Sequence, residues 1–449
     1  MSLFQIKKGK DIKLKGAAEK KIVDISLPKQ AAIQPSDFRG MKPRLAVKVD
    51  SVVKVGSTIL TDKVVEGLKV VSPISGKVVA INRGAKRALL SIVIETDAKQ
   101  EAESFQKLTR NEIKNISKKS AEKFLMDGGL WPVIRQRPFS KIANPSDKPK
   151  SIFIHAMNSE PLASDVDFIL EGKEDEFQVG IDIIKSLTDG TVYICTDHGA
   201  KSKALTQVNN AEIHQFAGVH PAGNVSTHIH RVDPINKGEH IWYIEAQDVL
   251  RIAALFLSGE YSAERVVAVT GEGVKNRIYA KTIVGVPVSV LLQGSNLEGM
   301  RCISGSILAG SVIGKDGFVR FYDSQITVIP EGGERKLLGW MDPGVNKYTF
   351  SHAFLSAFLP EKEVSLDADE NGSHRAIVMN HVYDQYVAID IMVYFLLKAV
   401  ISENIEEAEA LGILECDEED FALCTVACPS KIDVGKIIRE GLELIEKEG

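Results

Sequence analysis

The sequence predicts a multidomain protein of mixed α/β and α+β class, and three observations predict it. The chain has 449 residues, and single cores stop growing at about 250–300, so about three domains are expected. Its 44% hydrophobic and 26% charged contents are ordinary globular values, which give each domain enough apolar surface for a core. The apolar pattern also changes character along the chain, from short strands to strand–helix alternation, then to strands with glycines, and finally to helices.

The first region, residues 1–105, reads as a small all-β domain. Leu45–Val49 and Lys77–Ile81 are β-rich runs separated by the turn residues Gly56, Pro73, Ser75, Gly76 and Gly84. Residues 106–150 form a connector, helix-compatible from Thr109 to Met126 and then rich in proline at Pro132, Pro138, Pro145 and Pro149. From 151 to 262 strands (Ser151–Ala156, Thr191–Cys195) alternate with helical patterns (Glu176–Leu187, Ala246–Leu257), which implies a mainly parallel sheet in an α/β domain. Residues 263–335 carry strand-like runs at Val266–Thr270, Val288–Leu292 and Phe318–Tyr322, an α+β module. Residues 336–449 read as helical, with helices expected at Val387–Ile401, Glu406–Leu411 and Val434–Lys447.

Charge excludes some partners. A net charge of −5 argues against nucleic acid. The distribution is uneven, because Met1–Lys63 holds 14 basic and 6 acidic residues and Ile401–Gly449 holds 4 basic and 14 acidic. Either these are solvated faces, or one end docks on a surface of opposite sign. The start turns charged at Lys7 and Lys8 before an apolar core can form, so no secretory signal is expected. The longest apolar region, Tyr386–Ile401, is broken by Asp390 and Lys398 and falls short of the ~20 residues of a spanning helix. No transmembrane segment is therefore expected. Five cysteines make no disulfide framework, and a reducing compartment is expected.

Four constellations can carry chemistry. Thr61-Asp62-Lys63 ahead of Ser72-Pro73-Ile74-Ser75-Gly76 resembles the hairpin of lipoyl carrier domains, without the flexible tether that a swinging arm needs. His220, His228 and His230 lie close in sequence and suit a structural loop, a ligand or partner contact, or a metal. No acid or thiol ligand lies at close spacing, and in a strand His228 and His230 would share a face. Trp131, Arg135, Arg137 and Phe139 interleave cations with aromatics, which can bind an anionic or aromatic ligand or simply pack the connector. No phosphate-cradling glycine loop follows strand Ser151–Ala156. Lastly, Cys424-x3-Cys428-Pro429 matches the tail of the bacterial ferredoxin cluster run. The two preceding ligand positions would be Glu418 and Phe421, and Cys416 is out of register. Cys424 and Cys428 thus read as relic cluster positions.

Taken together, several segments resemble the A-subunit family of the bacterial sodium-translocating NADH:quinone oxidoreductase. They are Ser72–Gly76 with Ile81–Gly84, Gly129–Pro132 with Arg135–Phe139, His220–Gly223, Thr227–His230, Arg301–Ser306, and Asp417–Asp420 leading to Cys424 and Cys428. The resemblance spans nearly the whole chain. It extends more distantly to the C subunit of ferredoxin:NAD reductase complexes and to the flavin-bearing NADH-binding subunit of respiratory complex I.

The resemblance implies a barrel-sandwich hybrid, a Rossmann-like α/β domain, a β-grasp module and a helical C-terminal domain. It implies no cofactor on this chain: the distant relatives' flavin loop falls at Pro132–Phe139, and their cluster cysteines fall where only Cys424 and Cys428 remain. Flavins and a 2Fe-2S cluster are expected on other subunits, with quinone as a possible substrate. It also implies a peripheral protein at the cytoplasmic face of the bacterial inner membrane, held by the membrane-embedded B subunit and supporting quinone reduction coupled to Na+ export. Trp131, Arg135, Arg137, Phe139, His220, His228 and His230 are the residues expected to meet quinone or a partner. The alternatives are a flavin-containing NADH dehydrogenase subunit and a metal-dependent enzyme built on His220, His228 and His230. Met379–Tyr383 departs from the richer Pro/Gly content expected there.

Overall fold

The computed structural model describes residues 2–333, 338–360, 362–378 and 381–448, so Met379 and Asn380 lie outside the described residues. The β region is two antiparallel sheets. One orders Gln30–Ile33, Leu89–Thr96, Gly76–Arg83 and Val52–Val53; the other orders Pro43–Leu45, Thr58–Asp62 and Lys69–Val71. Ile33, Ile59, Leu60, Ile74, Val78, Ile92 and Ile94 are buried between them. The expected strand Leu45–Val49 is instead Pro43–Leu45.

The α/β region is built on a seven-stranded sheet with the order Ser2–Ile6, Glu212–Gly218, Thr191–Asp197, Ser151–Ala156, Ile241–Glu245, Arg135–Arg137, Lys141–Ile142. The first five are parallel, Arg135–Arg137 runs antiparallel to Ile241–Glu245, and Lys141–Ile142 antiparallel to Arg135–Arg137. Strand periodicity sends alternate side chains to opposite faces. Ile152, Ile154, Ile194 and Ile244 join the core beneath helices Glu174–Lys185 and Ala246–Ser258. Phe153, Cys195, Phe216 and Tyr243 face the other way, onto helix Val225–Val232. Helix Glu174–Lys185 opens on three acids and closes on Lys185, which suits the helix dipole. Helix Ala246–Ser258 stops at Gly259, whose φ of +68° is the left-handed C-cap conformation.

Sheet membership crosses the expected boundaries. Ser2–Ile6 pairs with Glu212–Gly218, and Ile22–Asp24 pairs with Tyr279–Ile283, so the first two strands belong to later sheets and not to the β domain. Arg135–Arg137 and Lys141–Ile142 belong to the α/β sheet and not to a free connector.

A third, mixed sheet orders Ser311–Ile313, Met300–Ser304, Gln325–Pro330, Glu264–Thr270, Tyr279–Ile283 and Ile22–Asp24. Two expected strands here are absent. Val288–Leu291 is a short helix entered from Pro287: a five-residue apolar run cannot separate strand from helix by periodicity, and the preceding proline suits a helix start. Phe318–Tyr322 forms no strand, because Phe318 makes only an isolated bridge to Pro287 and the Phe321 amide donates to Asp37.

The C-terminal region is less helical than expected. Between 338 and 392 the described residues hold only the short 3₁₀ turns Gly339–Met341, Leu355–Phe358 and Tyr383–Gln385. The helix expected from Val387 begins at Val393, because residues 387–392 are bent, with the Ile391 amide bonded to the Ile389 carbonyl. Ile405–Ala410, Ala422–Ala427 and Val434–Glu448 complete the bundle. No helix among the described residues is long and apolar enough to cross a membrane.

Candidate functional site

In an open parallel sheet, ligands bind at the carboxyl ends of strands where the strand order reverses. Here that point lies between Ser151–Ala156 and Ile241–Glu245. Each of these strands is mainly apolar and places one acid or imidazole side chain at or next to its end, His155 and Glu245. The His155 Nδ1 lies 3.0 Å from both Glu245 carboxylate oxygens, and its Nε2 lies 2.6 Å from the Gly223 carbonyl. Both ring nitrogens therefore face acceptors, which fits an imidazolium. Burial opposes that charge, but the Glu245 carboxylate and the Gly223 carbonyl outweigh it and raise the pKa to about 9.

The other histidines of this crevice are neutral. The His228 ring lies tilted 5.6 Å from that of His155, and its Nε2 donates to the Ala222 carbonyl at 3.0 Å. Burial and the neighbouring His155 hold it well below the usual histidine range. His220 is buried, with Nδ1 3.1 Å from Ser159 Oγ, and burial lowers it to about 4. Its amide donates to Asp11, and Ser159 Oγ accepts from the Gly223 amide. Beside these groups a cavity of about 370 Å³ is lined by Leu14, Asn158, Ser159, Glu160 and Glu363. Half-buried Glu160 accepts from Ser306 Oγ at 2.6 Å, and desolvation of its carboxylate raises its pKa.

The histidine segment 225–232 is a helix, not a strand, so His228 and His230 do not share a face. Asn224 in an extended conformation and the preceding Pro221-Ala222-Gly223 turn start that helix. His228 points into the core, whereas half-buried His230 reaches Glu415 Oε2 at 2.7 Å and accepts from the Asp390 amide. Each of the three histidines has a separate partner. Among the described residues no group of three or more His, Cys, Asp or Glu side chains could hold a metal ion.

The cation–aromatic motif packs inward. Trp131 is fully enclosed, donating to the Ala143 carbonyl at 2.7 Å and meeting Trp242 edge-on at 5.5 Å. Its ring faces protein, not a ligand. Half-buried Arg135 lies 5.0 Å from the Tyr243 ring and 4.9 Å from Tyr322. Arg137 is only 1% exposed and pairs with Asp417 at 2.9 Å and Glu419 at 2.8 Å. Phe139 takes a positive φ of +80°, and its carbonyl accepts from Arg439 at 3.1 Å.

The acidic run Asp417–Asp420 thus ties the C-terminal bundle to the α/β sheet. Asp417 also accepts from Ser140 Oγ at 2.5 Å and from Arg439, and Glu418 pairs with Arg39 and Arg439. Asp420 accepts from Asn224 at 3.1 Å, and burial and Glu419 raise its pKa to about 7. Burial and the neighbouring Arg39 and Arg137 lower Arg439 to about 9.

The thiols at the motif Cys424-x3-Cys428 converge on one tyrosine. Cys424 Sγ lies 3.7 Å from the Tyr383 carbonyl, and Cys428 Sγ lies 3.0 Å from the Tyr383 hydroxyl and accepts from the Ile432 amide. Phe421 is buried in the bundle core, and Glu418 is engaged by two arginines. A cubane needs four ligands, so the residues at these positions do not fit one. All five cysteines are free and buried.

Sequence reasoning missed His155, Glu245, Ser159, Glu160 and Tyr383. A signal existed for the first two: each is the only His, Asp, Glu, Lys or Arg of a mainly apolar strand, at or next to its carboxyl end. Tyr383 carries no local signal. Lys63 is exposed just after strand Thr58–Asp62, and the Asp62 carboxylate is taken by the Lys42, Val64 and Val65 amides.

Fold and site together define a chain in which a β module precedes an α/β domain whose ligand crevice is closed by its own side chains. Family models place this class. Residues 4–97 match the NqrA N-terminal barrel-sandwich hybrid domain, 116–261 the NqrA second alpha/beta domain, and 266–314 the NQRA C-terminal domain. Curated relatives match end to end. The Na(+)-translocating NADH-quinone reductase A subunit of Psychromonas ingrahamii is 40% identical, that of Marinomonas sp. 38% and that of Alcanivorax borkumensis 37%, each over 100% of both chains. The chain belongs to the family of Na(+)-translocating NADH-quinone reductase A subunits. A solved NAD+-reducing [NiFe]-hydrogenase chain is 12% identical with a TM-score of 0.36, over 67% of this chain and 55% of its own.

Proposed function

We propose that the chain works as the A subunit within a Na+-translocating NADH-quinone reductase, supporting quinone reduction coupled to Na+ export without holding a flavin or iron–sulfur cluster itself. The observation that carries this reading is the filled switch-point crevice. His155, Glu245 and the Gly223 carbonyl bond one another there, and Arg137 is neutralised by Asp417 and Glu419. In this reading Cys424 and Cys428 are relics of a cluster site now completed by Tyr383, and flavins and a 2Fe-2S cluster reside on other subunits.

The finer architecture belongs to the same proposal. The strand order around Ser151–Ala156 supports a Rossmann-like label for 151–262, and the mixed sheet supports a β-grasp label for 263–335. Residues 1–105, apart from the strands Ser2–Ile6 and Ile22–Asp24 lent to later sheets, are then the barrel-sandwich hybrid, 106–150 a connector whose Arg135–Arg137 and Lys141–Ile142 strands extend the α/β sheet, and 336–449 the C-terminal domain. The chain sits peripherally at the cytoplasmic face of the membrane, held by the membrane-embedded B subunit. Arg135, Phe139 and His230 keep exposed surface and are the side chains we assign to quinone or partner contact. Trp131, Arg137, His220 and His228 act from beneath as positioning groups.

The test is a complex assembled without this chain. Loss of NADH-driven quinone reduction is expected, and a fully active complex would refute the reading. A yellow or brown colour stoichiometric with the purified chain would refute the absence of a flavin or cluster.

A further inference from the structure

Helix Val393–Ile401 buries one apolar face, and its outer stripe carries exposed Phe395 and Lys398, with Met392 and Ile401 at the ends. Val393, Leu396, Leu397 and Val400 are buried at the i, i+3, i+4, i+7 spacing. On the outer side Phe395 is 47% exposed, and at the ends Met392 and Ile401 are 58% and 54% exposed. The only charge on this helix is Lys398, whose ammonium lies 5.6 Å from the Tyr394 ring centroid. Exposed apolar surface with a polar rim marks an interaction site.

The rim has one sign. Residues 390–410 hold five acids (Asp390, Glu403, Glu406, Glu407 and Glu409) against the single base Lys398. Among the described residues only Glu409 of the five is in an ion pair, with Lys237. Helix Ile405–Ala410 packs directly on Val393–Ile401, and Glu403, Glu406 and Glu407 are exposed on the turn and helix that follow its C-terminal end. An acidic rim repels the anionic headgroups of a cytoplasmic leaflet. It complements a polypeptide whose apolar side chains are flanked by lysine or arginine.

We propose that the outer face of helix Val393–Ile401, with its acidic rim, docks a basic, apolar-faced segment of a protein partner. This rests on the reading that the chain works inside a complex. Phe395 is the central anchor, and the rim carboxylates set the polarity of the bound segment.

The test places benzoylphenylalanine at position 395 in the assembled complex in its membrane and sequences the photo-cross-linked peptide by mass spectrometry. A segment of another protein of the complex, with net positive charge and apolar residues, is expected. A cross-link to lipid, to a second copy of this chain or to an acidic segment overturns the proposal, as does no cross-link. A second arm compares retention of Phe395→Ser and of Glu403→Lys with Glu406→Lys in the complex, with the thermal midpoint of each isolated variant as control. Roughly tenfold weaker retention at an unchanged midpoint is expected for a truncated aromatic anchor, and unchanged retention overturns it. A chain absent from the complex altogether defeats the functional reading, whereas a retained chain with a silent 395 face defeats only the docking proposal.

Discussion

Replacing Glu245 by glutamine tests the electrostatics of the closed crevice. In the wild-type chain His155 holds its proton up to about pH 9, against an ordinary value of 6.5. At about 1.4 kcal/mol per tenfold change in binding, that difference is worth about 3 kcal/mol. The sign follows from linkage. Below pH 6.5 folded and unfolded states both carry the proton, and the contribution is complete. Between 6.5 and 9 the unfolded state loses its proton first, so stability falls as pH rises, and above 9 the contribution is gone. Glu245→Gln removes the carboxylate and leaves burial to dominate, so the His155 pKa falls below 6.5. NMR titration of the His155 ring and urea unfolding at pH 6 and pH 9.5 give the two readouts. The wild type is expected to lose about 3 kcal/mol more than Glu245→Gln over that interval. A wild-type His155 titrating below 6.5, or a pH dependence unchanged in Glu245→Gln, would refute the reasoning.

Arg137→Met leaves Asp417 and Glu419 without their shared partner and is expected to cost about 3–5 kcal/mol, as for breaking a buried pair. Limited proteolysis should then release the C-terminal bundle, and a wild-type digestion pattern would count against the staple. Gly76→Ala would put a Cβ 1.8 Å from the Glu95 carbonyl oxygen. A loss of about 2 kcal/mol or more is expected from the enforced backbone shift, read from the urea midpoint of the barrel. Cys195, Cys302, Cys416, Cys424 and Cys428 are all buried, and burial raises the Cys424 thiol well above its usual value. None should react with a thiol reagent until the chain unfolds; fast labelling of Cys424 or Cys428 in the native protein would contradict the packing around Tyr383.

Strong local patterns were legible. Helix Ala246–Ser258 has apolar spacing and a terminal glycine, and strand Ser151–Ala156 is a buried run, so local chemistry identified both. Val288–Leu291 was not legible, because β-branched residues after a proline suit either state until tertiary contacts choose. The histidine segment misled for a related reason. His228 and His230 look like a same-face pair only in a strand, and the helix set up by the Pro221–Gly223 turn separates them. The staple was hidden differently. Asp417 and Arg137 are 280 positions apart, and each reads locally as a solvated charge. Only the fold shows that they neutralise each other out of water. Tyr383 completes the thiol site from a distance of 41 to 45 positions, with no pattern linking it to Cys424 or Cys428.

The threading of the first two strands has a consequence for synthesis. Among the described residues Ser2–Ile6 pairs only with Glu212–Gly218, and Ile22–Asp24 only with Tyr279–Ile283. At translation rates of about 5–20 residues per second, the first strand waits on the order of 10–40 s for its partner to be made. During that interval the nascent chain can build its barrel but must hold a short strand with Leu3 and Phe4 unpaired at the ribosome surface. Lys7, Lys8 and Lys10 follow at once, and charge beside an unpaired strand is a device that keeps such edges from joining the wrong sheet. The α/β sheet therefore gains its edge strand Ser2–Ile6 late, long after that strand was synthesised.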